Sequence, residues 1–129
     1  MPIGLIKQVD LDIQTALQKL KDTLKANRWG VLGDIDVKAI LKEKLGAETE
    51  EYHILDVCNP QFANRGLRAS KEAGLVLPCK MVVYAEGGKT NVGLYLPTRQ
   101  LPAELQSVPE LKRLSEEAES SLREVLSSI

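Results

Sequence analysis

Two consecutive glycines, Gly87-Gly88, stand between two runs of strand character, Lys80 to Glu86 and Lys89 to Leu96. Glycine takes positive φ as readily as negative, and a two-residue loop with both residues at positive φ matches the right-handed twist of paired strands. The spacing therefore predicts a tight hairpin, and the turn sets its register. Glu86 faces Lys89, Ala85 faces Thr90, Val83 faces Val92, Met81 faces Leu94 and Cys79 faces Leu96. The pairs from Ala85 to Cys79 share one apolar face, which needs helices against it. The other face shows Lys80, Val82, Tyr84, Asn91, Gly93 and Tyr95. Two tyrosines and a valine are too apolar for a plain solvent face, so Val82, Tyr84 and Tyr95 are candidates for an interface with a second copy of the chain.

The rest of the chain supplies the helices. Residues 4–9 read as a strand. Leu11, Ile13, Ala16, Leu17, Leu20 and Leu24 fall at helical spacing over 11–27, with Asp10 or Asp12 as cap and Asn27-Arg28-Trp29-Gly30 as the stop. Trp29 reads as a cover for the end of the core, with ligand stacking as the other use. A strand over 31–35 leads to a short helix capped by Asp36, with Val37, Ile40, Leu41 and Leu45 inward and Gly46 ending it. A third strand, 51–58, runs into Asn59-Pro60, an N-cap followed by a first-turn proline. The helix this opens, 60–71, turns Phe62, Ala63, Gly66 and Leu67 inward. Pro97 to Gln106 reads as a loop, Ser107 with Glu110 as a capping box, and the remainder as a helix to about 127 with Glu116, Glu117, Glu119 and Glu124 in solvent. The order β-α-β-α-β-α-β-β-α predicts a single α+β domain over 1–129, a two-layer sandwich with helices on one face of a largely antiparallel sheet.

Charge narrows the function. Lys and Arg total 17 and Asp and Glu 18, a net charge of -1, which argues against nucleic acid held by a basic surface. No apolar run reaches the ~20 residues of a membrane span, so no membrane partner is expected. The first residues lack a basic stretch followed by an apolar core, so no signal peptide is read there. Two cysteines in 129 residues do not make a disulfide scaffold. The expected location is the cytoplasm, with reduced thiols.

Few groups carry chemistry. Cys58 precedes the cap of the 60–71 helix, where the partial positive charge of a helix start favours a thiolate. Cys79 follows Leu77-Pro78, and the two meet only if their strands are neighbours. Small buried hydrophobes are the plain reading of both. His53 points away from Cys58 along its strand, and one histidine with two cysteines lacks a fourth ligand, so no metal site is assigned beyond the alternative pair Cys58 and Cys79. Asp34 and Asp36 lie on one side of a strand end, as a solvated end and a helix cap or as a cation site. Arg65 and Arg68, one turn apart, reach an anion near Cys58 or lie along the surface. Gly87-Gly88-Lys89-Thr90 is not a phosphate loop: Val83 stands where its first glycine belongs, and strands flank it. No catalytic constellation is recognisable, and no cofactor is named.

Val57-Cys58-Asn59-Pro60-Gln61 and Leu77-Pro78-Cys79-Lys80-Met81-Val82-Val83-Tyr84 resemble the paired signature of domain-of-unknown-function family 302. Trp29-Gly30-Val31-Leu32 and the helix from Asp36 to Gly46 are similar to further stretches of that family. The resemblance implies a compact α+β domain of the TATA-binding-protein type, a homodimer, found in bacteria and archaea, with no settled activity. It makes Cys58, Asn59, Pro60, Pro78 and Cys79 signature positions without a role. Shared fold does not carry DNA binding with it. Three readings stay open. In the first, a homodimeric module binds a small molecule or a partner in a cleft formed by the signature residues and Arg65. In the second, Cys58 and Cys79 do redox chemistry or hold a metal or haem. In the third, the motifs are structural.

Overall fold

The hairpin forms as its glycines require. Gly87 and Gly88 have φ of 58° and 79°. Met81, Val83, Ala85 and Glu86 face Leu94, Val92, Thr90 and Lys89. The fifth expected pair does not form: the β4–β5 ladder ends at Met81 and Leu94. Leu96 lies beyond β5, and its N–H donates to the Ile3 carbonyl.

A computed structural model describes residues 2–129; Met1, at the start of the expected domain, lies outside them. In chain order the elements are β1 (Gly4–Val9), α1 (Ile13–Ala26), β2 (Gly30–Asp36), α2 (Val37–Leu45), β3 (Tyr52–Cys58) and α3 (Pro60–Ala69). A 3-10 segment (Lys71–Leu75) follows, then β4 (Cys79–Glu86), β5 (Lys89–Tyr95), α4 (Pro97–Gln100), α5 (Ala103–Gln106) and α6 (Pro109–Ser127). One antiparallel sheet has the order β1-β5-β4-β3-β2. No described helix is long and apolar enough to cross a membrane.

Local chemistry sets the helix ends. Asp12 Oδ1 accepts the Thr15 N–H at 2.8 Å and caps α1. That bond and a second from the Thr15 hydroxyl hold the Asp12 carboxyl below the usual range. At the other end the Trp29 and Arg28 N–H groups return to the Leu24 and Lys25 carbonyls. This closure needs a left-handed residue, and the chain places Arg28 there, at φ 68°. Asp36 caps α2, and Gly46, at φ 67°, ends it. The last turn of α6 is closed by Lys7, whose Nζ donates to the Leu126, Ser127 and Ile129 oxygens.

The inner face of the sheet carries the core. Leu55, Val57, Met81, Val83 and Val92 pack against Leu17, Leu20 and Leu24 of α1 and Leu122 and Val125 of α6. Each such side chain contributes about 1.5–3 kcal/mol on burial. A second, smaller cluster of Ala73, Leu101, Leu105 and Leu111 lies under the α4–α5 segment. Neither cluster includes a residue of the outer face. There one row crosses all five strands, Ile6–Gly93–Val82–Ile54–Ile35. A Cβ on Gly93 would come within 2.7 Å of Ile6 and Val82, so those two side chains close over it.

Four expectations are corrected. Ile40 and Leu45 are exposed and α2 buries no side chain, because neither hydrophobic cluster extends to α2. Leu67 is turned outward, and the inner face of α3 runs from Phe62 and Gly66 to Ala69, which packs on the smaller cluster. Pro97 to Gln106 is not a plain loop but holds the single-turn helices α4 and α5. The capping box at Ser107 does not form: its hydroxyl donates back to the Glu104 carbonyl, and Pro109 opens α6 without a side-chain cap.

Candidate functional site

Asn59 has the side chain a helix start needs, and Pro60 gives up an N–H that has no partner there. Asn59 Oδ1 accepts the Gln61 and Phe62 N–H groups at 3.0 and 3.4 Å. The helix it opens crosses α6 closely because residue 66 is glycine. A Cβ at Gly66 would lie 3.2 Å from a Leu114 methyl carbon.

Where α3 and α6 meet the ends of β3 and β4, the two hydrophobic clusters do not merge. The seam is a pocket with about 70 Å3 of free space. Trp29, Val57, Cys79 and Ala118 line it from the main core, and Ala73, Leu101 and Leu111 from the smaller one. Phe62, Ala63 and Gly66 complete the α3 side. Among the candidate binding residues, Cys58, Asn59, Pro78 and Cys79 line this pocket. Pro60 is exposed at the start of α3 and lies outside the lining.

Arg65 also lies outside it. Its Nη2 donates to Glu110 and Glu117, each at 2.7 Å, and its Nε donates to Glu110 at 2.9 Å. The guanidinium sits 5.7 Å from the Phe62 ring centroid. Those glutamates raise the Arg65 pKa, and Arg65 with Arg113 holds the Glu110 carboxyl below its ordinary value. Arg65 is therefore a clamp between α3 and α6, and the anion site expected near Cys58 is replaced by two carboxylates of this chain. Arg68 donates to Asn64.

The two cysteines are free. Cys79 faces Val57 across the β3–β4 ladder, so Cys58 is one step out of register with it on the adjacent strand. Burial pushes the Cys58 thiol up, and burial followed by the nearby Cys58 pushes Cys79 up to about 12. The thiolate expected at the helix start is not favoured, because burial raises the cost of the charge, and Asn59 takes the Gln61 and Phe62 amides. His53 is buried at the other end of β3, with Nδ1 2.8 Å from Asp34 Oδ1. Five residues of strand, ~16 Å, separate it from Cys58. Asp34 thus supports a histidine and Asp36 caps a helix. Among the described residues no three His, Cys, Asp or Glu side chains group as metal ligands would.

Trp29 is core and pocket wall together. It is 3% exposed, its Nε1 donates to Ser121 Oγ at 2.8 Å, and its ring meets Phe62 edge-on. On the outer face Tyr84 stacks on Tyr52 at 5.1 Å, Lys80 pairs with Asp56, and Tyr95 donates to the Arg99 carbonyl. Val82, Tyr84 and Tyr95 are half-exposed. Partial burial, then Glu86, raises the Tyr84 hydroxyl pKa.

Three contacts around the pocket have no periodic or motif signal in the sequence. Gln100 Nε2 donates to the Val76 and Pro78 carbonyls at 2.6 and 3.2 Å, fixing the approach to Cys79. Glu119 accepts both the N–H and the hydroxyl of Thr98. Burial pushes the Glu119 carboxyl up, and those two donors with Arg123 outweigh it, leaving it lowered. Glu117, read as solvated, holds Arg65.

A family model described as "Domain of unknown function DUF302" matches residues 5–129. Among solved structures, the chain is similar to one described as the crystal structure of an uncharacterized conserved protein DUF302 from Bacillus stearothermophilus. The TM-score is 0.89, the sequence identity 32%, and the match covers 98% of each chain. Comparison with curated proteins gives no match.

Proposed function

The chain belongs to the DUF302 family, and from that premise we propose that it is a homodimeric binding module that takes a small molecule in the pocket between α3 and α6. The observation that carries this is the placement of Cys58, Asn59, Pro78 and Cys79 around one apolar void. A core free to close would fill such space, since side chains gain contact on every side. Here the small side chains of Ala63 and Ala118 stand in the lining and leave it unfilled. Thiol redox chemistry is the less supported use of the same residues, because burial holds both thiols protonated. A cytoplasmic location accords with two unpaired thiols.

Support for the dimer comes from the outer face. Its central row is apolar, and its Lys80 and Asp56 neutralise each other. A two-fold axis sets a surface against itself, so a face without net charge meets no self-repulsion.

Both halves have direct tests. Xenon dissolved in the protein solution should shift the amide NMR signals of Ala63 and Gly66. Ala63→Leu, which fills the void, should abolish the shift without lowering the melting temperature. Absence of a xenon response in the native chain would overturn the pocket. Sedimentation should give a two-chain mass for the native protein and a one-chain mass for Val82→Glu. A native monomer would end the dimer.

A further inference from the structure

The cap that starts α3 also decides which atom of Asn59 is left without a protein partner. Only its oxygen can accept backbone N–H groups, and Oδ1 is taken by Gln61 and Phe62. The amide nitrogen is left on the other side. Asn59 is 8% exposed, and among the described residues its Nδ2 donates to no protein group. No side-chain N or O atom cut off from solvent lacks a partner, so Nδ2 opens onto accessible space, and Asn59 lines the pocket. The other polar side chains of the lining are committed: Gln100 to the Val76 and Pro78 carbonyls, Ser115 to the Lys112 carbonyl. The pocket is apolar, and beyond the weak S–H donors of Cys58 and Cys79 its unused donor is Asn59 Nδ2.

Charge and size limit the occupant. Arg65 is spent on Glu110 and Glu117, Arg68 lies outside the lining, and no Lys or Arg side chain lines the pocket to meet an anionic head group. An anion desolvated without a counter-charge costs far more than a neutral acceptor. The free space, about 70 Å3, is about half that of an engineered apolar cavity that admits benzene, ~150 Å3. A ring does not fit the enclosed part, whereas a short aliphatic chain does.

Resting on the pocket reading above, we propose that the pocket takes an uncharged short-chain carbonyl compound, its oxygen on Asn59 Nδ2 and its alkyl end between Phe62 and Leu114. The test is an amide NMR titration of the full chain with butanone, butyrate and xenon, in the native protein and in Asn59→Asp. The aspartate keeps the cap oxygen and loses the donor. Butanone and xenon should move the same signals, Gly66 and Cys79 among them, and butyrate should move neither. Asn59→Asp should weaken butanone about fivefold to tenfold, the worth of one hydrogen bond, and leave xenon unchanged. Asn59→Thr, which also caps but reaches less far, should give the same loss. Butyrate binding as tightly as butanone, or butanone indifferent to both variants, would overturn the ligand class while the pocket stood. No xenon response would overturn the pocket, and the ligand class with it.

Discussion

The two ends of the β4–β5 pair are held in different ways. At the Gly87–Gly88 end the backbone suffices: two residues at positive φ, a ladder in register, and side chains that alternate cleanly between faces. At the Cys79 and Tyr95 end, side chains from distant parts of the chain do the holding. Gln100 ties down the Val76 and Pro78 carbonyls, Glu119 takes Thr98, and Arg65 bridges α3 to α6. The first end is exposed, with an open cleft of about 300 Å3 beside Gly88, Lys89 and Thr90; the second surrounds an apolar pocket of about 70 Å3. Local backbone chemistry fixes the hairpin without help from the rest of the chain, whereas the other end depends on partners far along the sequence.

Core truncation should separate the main core from the smaller cluster beside the pocket most strongly. Leu94→Ala, in the main core, should cost about 2–5 kcal/mol in urea unfolding. Leu105→Ala, in the cluster beside the void, should fall at the low end of that range, because a neighbourhood with free space relaxes around the loss. Equal costs would erase the distinction. Breaking the holding devices themselves comes next. Gly88→Val forces a β-branched residue to positive φ and should cost about 1–2 kcal/mol or more. Gln100→Leu strips two carbonyls of their donor, at about 1–3 kcal/mol, and its effect on hydrogen exchange should be confined to residues 76–80. Exchange rising throughout the sheet would show that the far end is not held separately.

The smallest effect is a pH dependence. Glu110 titrates below its ordinary value because Arg65 and Arg113 donate to it. Its contribution is therefore complete above about pH 4.5 and is lost as the pH falls through its lower folded value. Arg65→Met should flatten this acid limb of the stability curve and leave neutral pH little changed. An unaltered acid limb would mean the clamp is not what holds α3 to α6.

Much of the fold was legible because its signals are local. Gly-Gly, Asn59-Pro60, Asp36 with Gly46 and the 3.6-residue spacing of α1 and α6 each act within a few residues. The α+β class and the antiparallel sheet follow from them. The outward turn of Ile40 and Leu45 was not legible, since periodicity shows that a helix has an apolar stripe but not whether anything lies beneath it. The site was half legible. Cys58, Asn59, Pro78 and Cys79 share one pocket because β3 and β4 are neighbours. Arg65 misled because its partners, Glu110 and Glu117, are a helix away in space and far along the chain. Gln100 carries no pattern at all, and only the path of the Val76–Pro78 backbone gives it a role.

The sheet order has a consequence for the growing chain. β2, β3 and β4 each lie beside the strand next in sequence, so the four strands from β2 to β5 can pair one after another as they emerge from the ribosome. β1 alone waits: its single neighbour is β5, with Gly4 opposite Tyr95. The first strand synthesised is thus the last to find its place, and Lys7 reaches the final turn of α6 only when that helix is complete. The N-terminal strand works as the closing latch of the molecule, and a nascent chain stalled before Tyr95 should carry β1 unpaired and open to proteolysis.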